Sequence, residues 1–394
     1  MRNSLKKQAL TEENSKWLSA IERRNSLYSR GNDIRSEFER DYTRVIHSQA
    51  YRRMKHKTQV FFSPKNDHVC TRMEHVILVE SISHTISNYL GLNLDLTKAI
   101  AMSHDLGHSP FGHQGESILS KISQRDLGKK FWHERNGMEL VDRLELLEDD
   151  KKNLQNLNLT YGVRDGIISH CGEIDENRLK PREEYIDLYN YQYPNQFQPY
   201  TWEACVVKIA DKIAYLGRDI QDAIMLGIIE EHLKELHELM GTNPVKDVIN
   251  NTVIINKLVY DLCENSNEEE GLRFSEDVFE FMNQLKKFNY EYIYLDDRLQ
   301  PSTKYFEMVI QTIYETLKQY FSQQEKIKKM YPTIIADFEE WLQRYWNLER
   351  DTLFQNQVVF DIKDKTNQMQ AIICYIAGMT DNFAMDTYTQ IIGF

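Results

Sequence analysis

The chain of 394 residues carries 48 lysines and arginines against 60 aspartates and glutamates, and the net charge of −12 argues against nonspecific binding to nucleic acid. Its 16 glycines and 8 prolines are few, because average usage of roughly 7% and 5% would give about 28 and 20. A chain so poor in helix breakers is expected to be helix-rich. A hydrophobic content of 41% is enough for a substantial core and excludes a disordered or fibrous protein.

Three further features narrow the class of protein. No apolar run approaches the roughly 18 residues that span a bilayer, and the charged N-terminus has no apolar stretch behind it to form a secretory signal. The five cysteines include no C-x-x-C pair, which argues against a disulfide framework or a zinc knuckle. The sequence therefore predicts a soluble cytoplasmic protein with no membrane partner.

The N-terminal quarter of the chain is predicted to hold an arm and two helices. Residues 1–35 are polar and charged and are interpreted as an arm. Apolar residues at three- and four-residue steps over 36–54 predict a helix, and a proline-containing loop follows at 62–67. The helical pattern resumes over 71–90 and stops at Gly91, a residue type that commonly ends helices.

The next helix is expected to be short and to end at a cluster of helix breakers. Asp95 can cap its start, and it must end near Leu106 because three breakers follow: Gly107, Pro110 and Gly112. Helical periodicity then recurs at 134–149, 163–170, 201–239, 246–263, 274–289, 303–322, 333–347 and 366–378. The best linker candidates are 173–200 and 264–271, and the predicted architecture is all-α, with no glycine-rich phosphate loop.

The most informative residues lie at the predicted helix break. His104 and Asp105 are neighbours, and neighbouring helix residues point about 100° apart, so both can reach one ion only near a helix end. Further ligands are needed from rigid helices, and His75 and Asp211 lie in helical stretches. Two imidazoles and two carboxylates would neutralise a divalent ion. A simple helix-end hydrogen bond is the blander interpretation, but it is disfavoured because the break is surrounded by three histidines: His104, His108 and His113.

Taken in order, these residues resemble a known family. The pattern of His75, His104-Asp105 and Asp211 resembles the HD superfamily of metal-dependent phosphohydrolases. Segment 104–116 is similar to the signature of the dGTPase family of deoxynucleoside triphosphate triphosphohydrolases, and further segments match in family order at 44–61, 71–75, 209–215 and 375–381. The resemblance implies an HD-domain helical fold with additional C-terminal helices. We therefore predict three regions: an arm at 1–35, an HD core at 36–225 and a helical C-terminal region at 226–394 that completes the fold.

The resemblance also implies a reaction and the residues that perform it. In that family water attacks the α-phosphorus of a deoxynucleoside triphosphate and releases deoxynucleoside and inorganic tripolyphosphate; dGTP is the substrate expected first, and regulation of dNTP pools the role. His113 and Glu116 match the catalytic histidine and its acidic partner, which can face each other across one helical turn. A divalent metal, Mg or Mn before Fe, Co, Ni or Zn, would be held by four ligands: His75, His104, Asp105 and Asp211.

Substrate contacts are implied in the same way, residue by residue. Gln59 and Asp219 match partners of the sugar 3′-hydroxyl, and Tyr215 matches a residue that packs beneath the deoxyribose. The chain departs from the family at Arg218, where many bacterial relatives have histidine, so the edge of the sugar pocket is open. The residues expected near the phosphates are Arg72, His108, His133 and Lys212, with the role of His108 left open.

Two other functions fit part of the pattern. In a two-metal HD phosphodiesterase, His133 and His170 would join the ligands in a suitable order. Such enzymes lack the segment around Gln59 and the segment at 375–381, which argues against this alternative. A non-catalytic nucleotide-sensing module is expected to have lost a metal ligand or the catalytic pair, and this sequence retains both.

Positive charge and aromatic residues suggest partners without deciding between them. Residues 23–57 carry ten lysines or arginines and four acids, which indicates either a solvated helix face or a wall facing phosphates, with Arg53 and Lys57 favoured for the second. The aromatic segment at 185–202 is typical of a lid or interface, or of a loop packed on its own domain. By resemblance, the partners are a dNTP substrate, a regulatory nucleotide or single-stranded DNA, and further copies of the chain in a tetramer or hexamer.

Overall fold

The computed structural model describes residues 2–27, 33–62, 66, 68–171, 177–347 and 350–393. The regular secondary structure of these residues is almost entirely helical. The one regular sheet among them is an antiparallel hairpin of β1 (Leu146–Glu148) and β2 (Leu154–Asn156). The all-α prediction is confirmed. No helix in the described ranges is both long and apolar enough to cross a membrane.

The helices run from one end of the chain to the other. The N-terminal half contains α1 (Trp17–Ala20), α2 (Glu37–His47), α3 (Gln49–Arg53), α4 (Arg72–Leu90), α5 (Leu94–Ser103), α6 (Gly112–Leu127), α7 (His133–Glu139), α8 (Tyr161–Ser169) and α9 (Trp202–Met225). The C-terminal half contains α10 (Leu233–Met240), α11 (Asn251–Asn265), α12 (Glu276–Asn289), α13 (Gln300–Ser322), α14 (Gln324–Met330), α15 (Pro332–Gln343), α16 (Lys365–Ala377) and α17 (Asp381–Ile392). Helices α7 and α12 each continue into a π-helical turn, at Leu140–Leu144 and Tyr290–Tyr294.

The sequence explains why α4, which carries a predicted metal ligand, begins and ends where it does. Thr71 precedes the helix, and its hydroxyl accepts from the backbone N–H of Glu74, while the Glu74 carboxylate accepts from the backbone N–H of Thr71. This capping box satisfies two backbone donors that the first turn leaves free. At the other end Gly91 adopts the left-handed conformation, with φ of 85°, and closes the helix as predicted.

The short helix before the break differs from the prediction at both ends. Asn93, not Asp95, caps α5, because the Asn93 side chain accepts from the backbone N–H of Leu96 at 3.1 Å. Asp95 lies inside the first turn and accepts a hydrogen bond from Ser36 instead. The helix ends at Ser103 rather than near residue 106, so the predicted ligands 104 and 105 lie at and beyond its C-terminus.

The helix predicted over 134–149 is wrong beyond residue 144. The chain there leaves the helical path and forms the β1–β2 hairpin. Asp149 begins the turn, since its carboxylate accepts from the backbone N–H groups of Lys151 and Asn153, and Lys152 takes a left-handed conformation with φ of 67°. These local side-chain bonds offer the backbone an alternative to helix that apolar periodicity does not reveal.

Other helix boundaries also moved. The helix predicted over 201–239 is interrupted after Met225, where Gly227 has φ of 67°, and resumes as α10. The helix predicted over 36–54 is divided at Ser48, which ends α2 and caps α3. Four helices of the structure lie outside the stretches that apolar periodicity predicted: α1, α6, α14 and α17.

Buried apolar side chains form two clusters, which we call the N-terminal core and the C-terminal core. The N-terminal core runs from Leu5 to Ile293 and contains the buried faces of α4, α5, α8 and α9. The C-terminal core runs from Phe111 to Tyr388 and contains those of α6, α13, α15, α16 and α17. The turn between α5 and α6 therefore passes from one core to the other, and the predicted site lies along that turn.

The N-terminal segment packs on the rest of the chain. Leu5 and Leu10 are buried in the N-terminal core, and the backbone N–H of Asn3 donates to the carbonyl of Tyr89 at 2.7 Å. The N-terminal core also extends past residue 225, through α11 and α12. The division of the chain at 35 and 225 stays a prediction.

The two predicted linkers pair with each other in the part of the chain that the structure describes. Nη2 of Arg178 in the first linker lies 2.9 Å from Oε2 of Glu270 in the second. The backbone N–H groups of Leu179 and of Leu272, the residue directly after the second linker, each donate to the carbonyl of the other, at 3.0 and 2.9 Å. In the aromatic segment Tyr191 and Tyr200 are buried, whereas Tyr193 is 58% exposed. Much of this segment thus packs on its own chain, and residues 173–176 of the first linker lie outside the described residues.

Candidate metal centre and active site

Three helices bring the predicted metal ligands together. His75 lies on α4, His104 at the end of α5 and Asp211 on α9, and each offers one ligand atom within 4.8 Å of the others. The Nε2 atom of His75 is 2.8 Å from Oδ1 of Asp211, and Nε2 of His104 is 3.8 Å from the same oxygen. Asp105 completes the set, with Oδ1 3.5 Å from Nε2 of His104. The structure therefore brings all four predicted ligands into one group, in which His75, His104 and Asp105 are buried and the side chain of Asp211 is 19% exposed.

The ring of His104 is oriented by the end of its own helix. The last carbonyls of a helix have no partner within it, and Nδ1–H of His104 donates to one of them, on Ala101, at 2.7 Å. This leaves Nε2 directed toward Asp105 and Asp211, buried and without a hydrogen-bond partner among the described residues. An imidazole nitrogen so placed beside two carboxylates fits a divalent metal, with the Ala101 carbonyl fixing the tautomer.

His170 repeats this arrangement at the end of α8. Its Nδ1–H donates to the carbonyl of Ile167 at 2.7 Å, and its Nε2 is 3.7 Å from Oδ1 of Asp105. Burial, with His104 and His133 nearby, lowers the pKa of His170 to about 3, so the ring is neutral. His104, Asp105 and His170 thus form a second group of candidate ligands, which sequence reasoning named only for the two-metal alternative.

Asp105 is held in its charged form by its neighbours. Its Oδ2 accepts from Nη1 of Arg72 at 2.8 Å, and its Oδ1 lies 3.0 Å from Nε2 of His108. Burial raises the pKa of this carboxyl, but His108, His104 and Arg72 together outweigh burial and hold the pKa well below its usual range. The guanidinium of Arg72 also donates to the backbone carbonyl of Gln59 at 3.2 Å. The contacts of Arg72 thus fix a ligand, and its predicted contact with phosphate stays a prediction.

Glu116 contacts two histidines rather than the one that was predicted. His113 and Glu116 lie on the first turn of α6, with Nδ1 of His113 3.5 Å from Oε2 of Glu116. His133, at the start of α7, approaches closer: Nδ1 lies 3.0 Å from the same oxygen, and the backbone N–H of His133 donates to Oε1 at 2.9 Å. The side chain of His113 is 65% exposed, whereas that of His133 is buried. The predicted pair is therefore part of a three-residue group of His113, Glu116 and His133, which we call the acid–base group.

His133 and Glu116 form an imidazolium–carboxylate pair. Burial lowers the pKa of His133, but Glu134 and Glu116 outweigh burial and raise the pKa well above its ordinary value. Burial raises the pKa of Glu116, and His133 and His113 reverse that effect and hold the pKa well below the usual range. The ring of His133 stacks on that of His108, with centroids 3.8 Å apart. His108 therefore connects this pair to the metal centre.

The predicted sugar contacts lie along α9, beyond Asp211. Tyr215 and Asp219 follow at four-residue steps, which places them on the same helix face. Asp219 is buried, burial raises its pKa to about 6, and the hydroxyl of Tyr294 donates to its Oδ2 at 2.5 Å. Tyr294 lies in the π-helical turn after α12 and was missed, because no local pattern connects it with the HD residues.

The remaining predicted contacts differ in how they are placed. Gln59 is buried, and its Oε1 has no hydrogen-bond partner within the described ranges. Lys212 is buried on α9 next to the predicted ligand Asp211. Arg218 is partly exposed, with Nε 3.6 Å from Oδ1 of Asp222, four residues further along the helix. The structure brings none of these three onto the acid–base group, and their substrate roles stay predictions.

Lys57 is buried and directed into the protein, and its predicted contact with phosphate, like that of Arg53, stays a prediction. Its ammonium donates to the backbone carbonyls of His108 and Ala377, and burial lowers its pKa to about 7. Arg53 forms an ion pair with Glu145 at 3.0 Å. The backbone at the end of the preceding helix directs the Lys57 side chain into the protein, where its ammonium satisfies two buried backbone carbonyls that need donors.

The C-terminal segment contacts the turn between α5 and α6 through Asp381. Its Oδ2 accepts from the backbone N–H and the hydroxyl of Thr58, at 2.8 and 2.6 Å. Its Oδ1 accepts from the backbone N–H of Phe111 at 2.9 Å. The segment at 375–381, which matches the family, thus stabilises the site by accepting hydrogen bonds from the backbone of Thr58 and Phe111.

A cavity of about 790 Å³ opens beside the acid–base group. His113, Glu116 and His133 line it together with Glu134 and Cys171. Three cationic side chains also belong to its lining: Lys121, Arg125 and Lys130. A cavity of this size and charge can admit a small phosphorylated ligand.

Two family models match the chain, and together they cover the site. The HD domain matches residues 72–216, which include all four predicted ligands, and the phosphohydrolase-associated domain matches residues 272–390, which include Tyr294 and Asp381. HD domains are metal-dependent, and the described residues contain groups able to hold a metal. Fold and site thus define an HD-domain phosphohydrolase.

Curated relatives place the chain more closely. It is 34% identical to a deoxyguanosinetriphosphate triphosphohydrolase-like protein of Caldanaerobacter subterraneus subsp. tengcongensis, over 91% of this chain and 86% of the relative. Proteins of the same description match from Desulfatibacillum aliphaticivorans, at 37% identity over 66% of this chain and 67% of the relative, and from Rickettsia prowazekii, at 30% over 91% and 92%. The chain belongs to the family of deoxyguanosinetriphosphate triphosphohydrolase-like HD proteins.

Proposed function

We propose that the protein hydrolyses deoxynucleoside triphosphates, dGTP first among them, to deoxynucleoside and inorganic tripolyphosphate, and that it thereby regulates dNTP pools. The observation that carries the proposal is the contact between two groups. A buried cluster of two imidazoles and two carboxylates is linked through His108 to the His133–Glu116 ion pair. A metal site beside an acid–base group is what hydrolysis of a phosphate ester requires.

The metal ligands would be His75, His104, Asp105 and Asp211. A divalent metal bound there would polarise the α-phosphate and lower the pKa of a bound water. Arg72 keeps Asp105 ionised and fixed, and the Ala101 carbonyl keeps Nε2 of His104 directed into the site. These neighbours matter because a ligand that can rotate or protonate holds a metal poorly.

The acid–base group would supply the proton that the reaction needs. Water adds to the α-phosphorus and the bond from phosphorus to the 5′-oxygen breaks, so the departing 5′-oxygen must gain a proton. His113 is exposed in the cavity and held by Glu116, which suits it to donate that proton. His133 is buried and cationic, and its charge would stabilise the negative charge on the phosphoryl oxygens.

The sugar would lie over α9. Gln59 and Asp219 are proposed to bind the 3′-hydroxyl, with Tyr215 beneath the deoxyribose. Tyr294 donates to one oxygen of Asp219, which leaves the other oxygen to accept from the sugar. A crowded 2′ position would disfavour ribonucleotides by roughly 1–3 kcal/mol, or about ten- to a hundredfold in kcat/KM.

Product analysis tests the proposal directly. The protein is incubated with each of the four dNTPs in Mg²⁺ and in Mn²⁺, and the first products are separated by ion-exchange chromatography. Deoxynucleoside and intact tripolyphosphate are expected, and in ¹⁸O-water the label should enter the tripolyphosphate. A protein with Asp105→Asn, purified in parallel, controls for contaminating phosphatases. Orthophosphate or pyrophosphate as the first product would overturn the assignment.

A second candidate is a two-metal phosphodiesterase, which the position of His170 favours. His170 lies 3.7 Å from Asp105 and is neutral, as a second set of ligands would need. Such an enzyme would cleave a nucleotide diester to a monophosphate. His170→Ala would then abolish turnover together with half of the bound metal, whereas a triphosphohydrolase with one metal keeps its metal content.

The remaining expectations concern the state of the protein in the cell. A cytoplasmic homo-oligomer, tetramer or hexamer, is proposed, with a regulatory nucleotide or single-stranded DNA as a further partner. Light scattering with and without dNTP measures the first expectation. A nucleotide-sensing module without catalysis would instead bind dNTP and leave it intact in the product assay.

A further inference from the structure

A further cluster of candidate ligand atoms includes His133 and contains none of the four predicted metal ligands. His133, Glu134 and Cys171 each offer one ligand atom within 4.8 Å of the others. The first two residues begin α7, and the third follows the end of α8. The cluster lines the cavity that contains His113 and Glu116, so an ion can reach it from solvent.

The buried carboxylate of Glu134 indicates that this cluster can bind a ligand. The residue is 1% exposed, and its Oε1 atom has no hydrogen-bond partner within the part of the chain that the structure describes. A buried carboxylate oxygen without a donor is costly, by about 1–3 kcal/mol or more for a charged group. A cation bound between Glu134, Cys171 and His133 would satisfy that oxygen.

The donor atoms select a particular class of cation. Sulfur, imidazole nitrogen and carboxylate oxygen together suit Zn²⁺ and similar thiophilic ions, whereas Mg²⁺ prefers oxygen alone. Around tetrahedral zinc, bonds of about 2.0–2.3 Å place ligand atoms about 3.3–3.8 Å apart. The donor atoms of the cluster lie within 4.8 Å of one another, so they would close by about 1–1.5 Å at most to reach that spacing. The nearby cation of Lys208 is occupied, since it donates to Asn195 at 2.6 Å.

We propose that His133, Glu134 and Cys171 bind a thiophilic divalent cation such as Zn²⁺, and that the bound cation inhibits the enzyme. Binding displaces the thiol proton of Cys171 and the proton of the His133 imidazolium, both of which pass to solvent, and no electron is transferred. The ligand atom of His133 in this proposal is Nδ1, which lies 3.4 Å from Oε2 of Glu134, and the neutral ring keeps its remaining proton on Nε2. Nδ1 then no longer carries the proton that pairs with Glu116 at 3.0 Å. The inhibitory part rests on the proposed function, because the lost ion pair belongs to the proposed acid–base group.

A spectroscopic titration tests the binding without any assay of activity. Protein saturated with Mn²⁺ is titrated with Co²⁺, and coordination by Cys171 should appear as a thiolate-to-cobalt charge-transfer band in the near ultraviolet. Cys171→Ser should lose the band and one bound equivalent of Co²⁺ per chain. Cys263→Ser is the matched control, because Cys263 is buried on α11 and belongs to no group of candidate ligands among the described residues. A band that survives Cys171→Ser, or that is absent from the unaltered protein, overturns the site.

An inhibition assay tests the consequence. With saturating Mn²⁺, Zn²⁺ should inhibit triphosphohydrolysis, and Cys171→Ser should raise the half-inhibitory concentration at least about tenfold when each protein is compared with its own rate without zinc. Equal sensitivity of the two proteins would overturn the inhibitory role. If the unaltered protein has no triphosphohydrolase activity, the proposed function fails while the cobalt titration still decides the site.

Discussion

The candidate metal centre and the proposed acid–base group are neighbours, yet they are built in opposite ways. His75 and His104 are almost wholly buried, and the helices that carry them, α4 and α5, pack in the N-terminal core. His113 is 65% exposed and begins α6, whose buried face belongs to the C-terminal core. A metal needs ligands that do not move, because its geometry is strict, whereas a proton donor must reach substrates and exchange protons with water.

The largest loss of activity is expected when a charged ligand is removed from the buried candidate metal centre. Asp105→Asn deletes a carboxylate oxygen and leaves Arg72 with a weaker acceptor. Activity should fall roughly 10³-fold or more, because a metal acting as a Lewis acid supplies several kcal/mol. Bound metal, measured by mass spectrometry of the dialysed protein, should fall with it, while circular dichroism stays unchanged. Full activity with normal metal would contradict the assignment of the centre.

The matching test on the exposed side separates chemistry from metal binding. His113→Ala should lower kcat by about 10²- to 10⁴-fold, the usual contribution of a general acid or base, and leave the metal content near normal. His84→Ala is the control, since His84 is exposed on α4 and lies outside every candidate ligand group of the described chain. A loss of less than a few-fold, or a parallel loss of metal, would show that His113 is not a separate acid–base group.

The pKa values of two buried carboxyl groups, Asp105 and Asp219, are shifted in opposite directions, so the two groups should respond differently to pH. Cations and histidines hold the pKa of Asp105 low, whereas burial raises the pKa of Asp219 from 3.8 to about 6. A raised pKa in the folded state means that its contribution to stability is complete below about pH 4 and is lost as pH rises through 6. The difference in unfolding free energy between the protein and Asp219→Asn should therefore change by about 3 kcal/mol from pH 4 to pH 8.

Urea unfolding at several pH values measures this effect. The sign is opposite to that expected of a salt-bridged carboxylate, so the slope of stability against pH identifies which behaviour Asp219 follows. Tyr294→Phe removes the hydrogen bond to Asp219 and serves as the companion variant. A pH-independent difference between Asp219→Asn and the parent would mean that this carboxyl titrates normally.

The smallest expected effect concerns the connection between the two cores. Asp381→Ala removes acceptors from the backbone N–H groups of Thr58 and Phe111, and unpaired buried donors cost about 1–3 kcal/mol. Stability should fall by that amount, and kcat should fall because the turn before His113 loosens. Asp386→Ala on the same helix is the control, since Asp386 is exposed. Equal stability of the two variants would show that the connection carries little energy.

The four predicted metal ligands lie close together in the structure, and their positions along the chain explain why. His104 and Asp105 precede a run of helix breakers, and His75 and Asp211 lie on helices whose apolar faces are plain in the sequence. The all-α fold followed from the scarcity of glycine and proline, although the β1–β2 hairpin interrupts it where the side chain of Asp149 bonds to its own turn.

The parts that were missed depend on how distant segments pack. Glu116 approaches His133 more closely than His113, and only the placement of α6 against α7 decides that. Tyr294 reaches Asp219 across the N-terminal core, and the ammonium of Lys57 is directed inward to two carbonyls. A one-dimensional pattern gives residue types and local elements, but it does not give these pairings.

The stacked rings of Phe111 and Phe306 set a lower limit on the length of a working enzyme. Phe111 is held in the left-handed conformation, with φ of 63°, which costs a non-glycine residue roughly 1–2 kcal/mol. Its ring lies almost parallel to that of Phe306 on α13, with centroids 4.2 Å apart, and such a contact offsets about 0.5–1.5 kcal/mol. A fragment ending with the HD match at residue 216 would lack that partner. The unit that positions His113 therefore extends through α13.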